Sequence, residues 1–440
     1  MNTRKASHRF LAAIAIAAIT FSLAVRAQAQ VETILYSFPS PGTSGTFSSA
    51  PLTLDRAGDL YGTSPQGGGS NKSCGTGGCG VVFELVRGTG GTWSEKVLHT
   101  FTGRTDGGVP VSPLIFDASG NLYGTTEYAG NTNDCKDVGY DQYGCGVVFE
   151  LSPNGTSWKI TVLYTFSGGA DGGKPVGGLA RDAAGNLYGT TSTGGDLTCA
   201  SIGCGVVFKL SQSGTTWTET ILHTFENDNV DGIVPYSTPV LDSAGNLYGT
   251  TVSGGSVGFG TVFELSSASG WAETILHSFS GAPDGWNPTG PILLDSSGNV
   301  FGTTVLGGNS TFCVGTGCGV VYELSPSSGA WNETILTNPG NWDGYQPVGL
   351  AADHAGNLYY VGSSGGKSST CPTQGQGCGA VTKLTPATGG TWTATVVHRF
   401  AGAPDGQEPQ ATVAVDAAGN LFGTAPGGEP SYGIIYEIRQ

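Results

Sequence analysis

The heptapeptide Glu32-Thr33-Ile34-Leu35-Tyr36-Ser37-Phe38 decides the fold, because it is a displaced copy of a phrase that recurs through the chain. Elsewhere the phrase follows a tryptophan, at Trp93, Trp158, Trp217, Trp271, Trp331 and Trp392, as in Trp217-Thr-Glu-Thr-Ile-Leu-His-Thr-Phe225. In the displaced copy Gln30 takes the tryptophan position. At the other end the sequence reaches Gly433-Ile-Ile-Tyr-Glu-Ile438, a phrase that everywhere else precedes the tryptophan strand. One strand is spare at the start and one is wanting at the end. An open solenoid has no use for that split, whereas a ring needs it to remove both sheet edges.

Two further phrases complete the repeat. Asp117-Ala-Ser-Gly120-Asn121-Leu122-Tyr123-Gly124-Thr125 is a turn followed by a strand, with counterparts whose turn glycines are Gly58, Gly185, Gly245, Gly298, Gly356 and Gly419. The phrase GVVFEL or a variant starts at Gly80, Gly146, Gly205, Gly260, Gly319, Gly379 and Gly433. In it Val81, Phe83 and Leu85 should point one way and Val82 and Glu84 the other, the period of two of a strand. The Asp-x-x-Gly-Asn segments suit tight turns, since Gly accepts positive φ and Asp bonds nearby backbone. An apolar stretch before each turn, such as Pro113-Leu-Ile-Phe116, supplies a further strand. The expected fold is all-β: a seven-bladed β-propeller, four antiparallel strands per blade, its last blade closed by the N-terminal strand.

Residues 1–29 read as a secretory signal peptide. Arg4, Lys5 and Arg9 precede an apolar run from Phe10 to Val25, and Ala27-Gln28-Ala29 offers a small-residue cleavage site. Residues 30–440 are then expected to form one propeller domain. The signal holds four basic and no acidic residues, so the remainder has 14 basic against 33 acidic, a formal charge of −19. Such a surface repels nucleic acid and anionic lipid, and no later stretch is apolar enough to span a bilayer. A secreted or periplasmic monomer is expected.

Ten cysteines fall in five local pairs: Cys74/Cys79, Cys135/Cys145, Cys199/Cys204, Cys313/Cys318 and Cys371/Cys378. Every pair lies between the second and third strands of a blade, and the two blades without one have the shortest such loops. An even count in an exported chain reads as disulfides. No loop offers a histidine beside its cysteines, so a zinc set is not expected there, nor any cofactor.

The run GNLYGTT…GCGVVFEL…WTETILHTF…DG…P resembles the bacterial GloVer tandem-repeat proteins, called choice-of-anchor because members end in different sorting segments. The likeness covers almost the whole chain after the signal. It implies an exported or cell-surface protein and adds no activity. This sequence runs to Gln440 without a sorting segment, so an anchor is not expected. The Asp-x-x-Gly-Asn-Leu-Tyr phrase is similar, over a short span, to strands of NHL-type and gluconolactonase-like propellers.

Candidate chemistry begins with the blade-to-blade links. Each carries Asp-Gly with Pro four positions after the Asp: Asp106, Asp171, Asp231, Asp284, Asp343 and Asp405, with Ser44 in the first link. Six carboxylates in a ring suggest a cation at the axis; the competing expectation, favoured by the repetition, is that each Asp caps its own turn. His99, His223, His277 and His398 share one slot with Tyr36, Tyr164 and Thr337, which marks a packing position. No nucleophile with a base at recognisable spacing and no phosphate loop occurs.

What breaks the symmetry is aromatic. Tyr236, Trp286, Trp342 and Tyr345 stand at three consecutive junctions where other blades carry small or polar residues, and the longest loop holds Tyr128, Tyr140 and Tyr143 with Asp134, Asp137 and Asp141. Aromatics beside acids stack on sugar rings and bond their hydroxyls; packing against neighbouring loops is the equal alternative. The leading expectation is a non-catalytic binding module for an extracellular glycan or protein partner, its ligand surface Tyr236, Trp286, Trp342 and Tyr345. The alternatives are a polysaccharide lyase, glycosidase or lactonase using carboxylates of that face, or an envelope scaffold.

Overall fold

The computed structural model describes residues 32–440 apart from 40–41, 43, 47, 70–72, 75, 131–143, 200–201, 314, 367–370, 372–376 and 428–431. Seven antiparallel sheets of the expected four strands stand in a ring, with no helix longer than a single 3-10 turn among the described residues. Blade 1 runs Thr53–Leu54, Leu60–Ser64, Val81–Arg87 and Trp93–Thr100, the last strand outermost. The other blades repeat that order.

Each first-to-second turn is held by its aspartate. Asp117 accepts the Ser119 and Asn121 amides at 2.8 and 2.9 Å and the Asn121 side-chain amide at 2.9 Å, while Gly120 takes φ of 85°. Asp55, Asp182, Asp242, Asp295, Asp353 and Asp416 accept the corresponding amide of their own turns.

The third strand alternates as expected, between two interior faces. Val81, Val82, Phe83 and Leu85 are all fully buried. Both sheet faces are interior, because each blade is pressed between two others. Val81, Phe83 and Leu85 join a core with Leu35, Phe38 and Phe422 on one side, while Val82 packs with Val147, Phe149 and Leu151 on the other. In every blade the pairing of third and fourth strands slips between the second and third residue after the phrase's glycine, as at Val82/Phe83 and Val148/Phe149.

The ring closes as the sequence requires. Glu32–Ser37 pairs antiparallel with Ile434–Ile438, with Glu32 opposite Ile438 and Ser37 opposite Ile434. Phe38 then packs on Phe83 of blade 1, ring centroids 5.6 Å apart. The same edge-on pairing stitches five other junctions: Phe101–Phe149, Phe166–Phe208, Phe225–Phe263, Phe279–Tyr322 and Phe400–Tyr436, at 5.1 to 5.3 Å. Such contacts add about 0.5–1.5 kcal/mol each beyond the area they bury.

Four of the expected disulfides are local to their blades: Cys74–Cys79, Cys199–Cys204, Cys313–Cys318 and Cys371–Cys378, with Cα separations of 5.2 to 5.6 Å. For Cys135/Cys145, Cys135 lies outside the described residues, as do residues 1–31. No described helix is long and apolar enough to cross a membrane.

Candidate functional site

The blade-to-blade links and the second-to-third loops share one face and bond one another there. Gly108 and Tyr128 exchange backbone hydrogen bonds at 3.0 and 3.2 Å, and Gly232–Pro235 and Gly285–Trp286 form short pairs with their own blade's loop. Each link is also tied backwards. The residue three after the link aspartate donates its N–H to the carbonyl just before the previous blade's GVVFEL glycine: Val109 to Cys79, Lys174 to Cys145, Val234 to Cys204, Asn287 to Phe259, Gln346 to Cys318 and Glu408 to Cys378. These donors take φ between 51° and 60°, a strained setting for β-branched Val109 and Val234 that only a doubly anchored link would hold. Five of the accepting carbonyls belong to the second cysteine of a pair, and the four described bridges fix the points to which their links are fastened. The result is a rigid rim on which loop side chains can differ.

They differ in a patterned way. Among the described residues the exposed large apolar side chains are Leu197, Ile202, Val230, Tyr236, Val257, Phe312 and Trp342. All seven belong to links or second-to-third loops, hence to this one face, and all lie between blade 3 and the junction of blades 5 and 6. Of the aromatics singled out from sequence, Trp342 is 63% exposed and Tyr236 44%. Trp286 is half-buried, its ring tilted on Phe259 at 4.6 Å. Tyr345 is buried at 7% beneath Phe312, ring centroids 5.5 Å apart, so Phe312 stands at the surface in its place. Leu197, Ile202, Val230, Val257 and Phe312 escaped sequence reasoning although each is unrepeated. A lone aliphatic in a loop carries no signal until its exposure is known.

Around Tyr236 the face is polar. Burial and the Glu127 carboxylate push its hydroxyl pKa up, and burial pushes Glu127 up against the opposing pull of Lys174. The Lys174 ammonium lies 5.4 Å from the Tyr128 ring centre. Asp134, Asp137, Tyr140, Asp141 and Tyr143 of the long loop lie outside the described residues. A cavity of about 250 Å³ opens on this face beside Gln66, Val109 and Tyr128. A larger one, about 730 Å³, sits on the opposite face against Arg56, Asp117, Tyr61 and Trp158.

The link aspartates do not converge on the axis. Each caps its own link, accepting an amide from Thr102, Ser167, Glu226, Ser280, Gly340 or Ala401 at 2.6 to 3.0 Å. Four reach a histidine of the outermost strand: His99–Asp106, His223–Asp231, His277–Asp284 and His398–Asp405, at 3.1 to 3.2 Å. The histidines do pack, edge-on to Phe101, Phe225, Phe279 and Phe400 at 4.7 to 4.8 Å, but their Nε2 atoms serve these pairs.

At three junctions the next blade adds a glutamate. Glu273 lies 3.7 Å from His223, Glu333 3.8 Å from His277, and Glu32 of the closing strand 3.8 Å from His398. Burial raises Glu273 and Glu32, and pushes Glu333 up to about 7. Asp284 is held at about 2 because hydrogen bonds from His277 and the Gly285 amide outweigh its burial. Where the slot holds tyrosine the hydroxyl closes the gap itself: Tyr164 donates to Glu219 at 2.8 Å and Tyr36 to Glu95 at 2.9 Å. These clusters were present in the sequence as two separate repeats. Joining them requires knowing which strands of adjacent blades touch.

Comparison with known proteins bears out the family likeness. No curated protein matches in sequence. Among solved structures, an ulvan lyase bound to its saccharide is similar with a TM-score of 0.53 at 10% identity, over 92% of this chain and 95% of that one. A fungal alcohol oxidase in complex with copper gives 0.53 at 13%, over 93% and 76%. A candidate 6-phosphogluconolactonase from Bacteroides uniformis gives 0.48 at 14%, over 83% and 89%. At such identities the likeness is one of fold. In sequence, the Gloeobacter/Verrucomicrobia repeat profile matches residues 139–372, just over half the chain, and the protein belongs to that family.

Proposed function

We propose that this protein is an exported, non-catalytic binding module that engages an extracellular glycan or protein partner through the loop-rich face of blades 3 to 6. The observation that carries the reading is the confinement of every exposed large apolar side chain among the described residues to that face. Exposed apolar groups gathered on one side of a rigid scaffold, rather than scattered singly, mark an interaction surface. Trp342, Tyr236 and Phe312 offer flat faces for sugar rings or partner side chains, and the doubly anchored links pre-organise them. Export through cleavage after Ala29 is consistent with four disulfides, which form and persist in oxidising compartments.

The test is a panel of bacterial and algal polysaccharides and envelope extracts, scored together for binding, new reducing ends and unsaturated products. Saturable binding without turnover is expected. Turnover would replace this reading with a carbohydrate-active enzyme, and the absence of binding across the panel would remove its basis.

A further inference from the structure

We propose that three blade junctions are binding sites for a divalent transition-metal ion, each formed by a histidine and an aspartate of one blade and its link and a glutamate of the next: His223, Asp231 and Glu273; His277, Asp284 and Glu333; His398, Asp405 and Glu32. One imidazole nitrogen and two carboxylate oxygens is a donor set suited to Zn²⁺, Co²⁺ or Mn²⁺ and poor for alkali ions. In each cluster the three donor atoms lie within 4.8 Å of one another. The His–Asp and His–Glu separations, 3.1 to 3.8 Å, bracket the roughly 3.3 Å edge of a tetrahedron with bonds of about 2.0–2.1 Å.

Three observations point past a chance meeting of charges. First, Asp231 is 7% exposed, and its Oδ1 is buried with no hydrogen-bond partner. Glu273 Oε1 and Glu32 Oε1 are buried and without a hydrogen-bond partner too. Buried polar atoms are rarely left so, and an ion is one of the few things that satisfies them. Second, each set joins two carboxylates to one imidazole, so the charge of a divalent cation would match that of the carboxylates once they give up their protons to bind it. Third, the tyrosine junctions act as an internal comparison. Tyr164 and Tyr36 reach their glutamates directly, whereas a histidine in the same slot stops 3.7 to 3.8 Å short. The shorter side chain leaves a gap that a metal spans. The third cluster draws Glu32 from the strand that closes the ring, so an ion there would also latch the closure.

The experiment uses the tag-free chain from residue 30 onward, stripped with chelator and titrated with Zn²⁺ at neutral pH, with bound metal counted after dialysis and Co²⁺ absorption recorded as a coordination signature. Three ions per chain are expected, with protons released as they bind. Glu273→Gln, Glu333→Gln and Glu32→Gln should each lower the count by one, and the triple variant should bind none while keeping a cooperative metal-free melt. His99→Gln should change nothing, because Ile160 occupies the glutamate position there. No saturable binding at millimolar Zn²⁺, or a count that survives the triple variant, would overturn the proposal and leave the clusters as proton-sharing junctions.

Discussion

Deleting residues 30–38 is the perturbation whose outcome the fold fixes most tightly. The strand contributes two buried side chains, Leu35 at 9% and Phe38 at 1% exposure, to a core shared with blade 1. At about 1.5–3 kcal/mol for each such side chain, their loss costs about 3–6 kcal/mol. Losing the Phe38–Phe83 contact adds about 0.5–1.5 kcal/mol. A typical domain is stable by only about 5–15 kcal/mol. The deletion also strips Ile434–Ile438 of its partner and leaves an unpaired edge in an otherwise closed ring. The truncated chain should therefore lose its cooperative melt or associate through the bared edge, read by calorimetry and by light scattering after size exclusion. A synthetic peptide of residues 30–38 added in trans should restore a monomer. A truncated chain that stays monomeric with an unchanged melting temperature would refute the closure.

Other outcomes follow from the same geometry. Burial pushes Glu219 and Glu333 up to about 7 from an ordinary 4.5, so the folded chain keeps protons that the unfolded chain has lost. Metal-free stability should then fall as pH rises from about 4.5 to 7, by about 1–2 kcal/mol per glutamate after allowing for partial solvent screening. Zn²⁺ should flatten that decline if the junction sites bind it. At the acid end Asp284, held at about 2, contributes stability present above about 3.8 and lost as pH drops toward 2, so metal-free melts should peak between these limits. Peptide mapping without reductant should recover each cysteine pair within its own blade, Cys135 with Cys145 included. A bridge between blades would contradict the repeat reading. Replacing Cys199 and Cys204 together by serine should cost about 2 kcal/mol, the chain-entropy value for so short a closure.

The architecture was legible because it is written seven times and because its one irregularity, the displaced Glu32–Phe38 strand, has a single topological remedy. Turn chemistry was legible for the same reason: Asp117 and its counterparts act within a few residues of themselves. Alternation in Val81–Leu85 was legible and holds, with Val81, Phe83 and Leu85 on one side and Val82 on the other, but that both sides are interior follows only from the packing of blade on blade. The link aspartates were legible as caps but not as partners of histidine, and Glu273 could not be joined to His223 because fifty residues separate them in sequence and only blade adjacency brings them together. Exposure was the least legible quantity. Trp342 and Tyr345 sit three residues apart with equal promise, yet one projects from the rim and the other lies under Phe312.

The function stated above is most directly tested by replacing the two most exposed of the four aromatics first singled out, Tyr236 and Trp342, together by alanine and measuring both affinity for the ligand found in the panel and the melting temperature. Both side chains are exposed at the rim, at 44% and 63%, so the melt should move by no more than a few degrees. Binding should fall at least tenfold, the loss of one good stacking contact or more. Undiminished affinity in a folded double variant would contradict the assignment of this face as the binding surface.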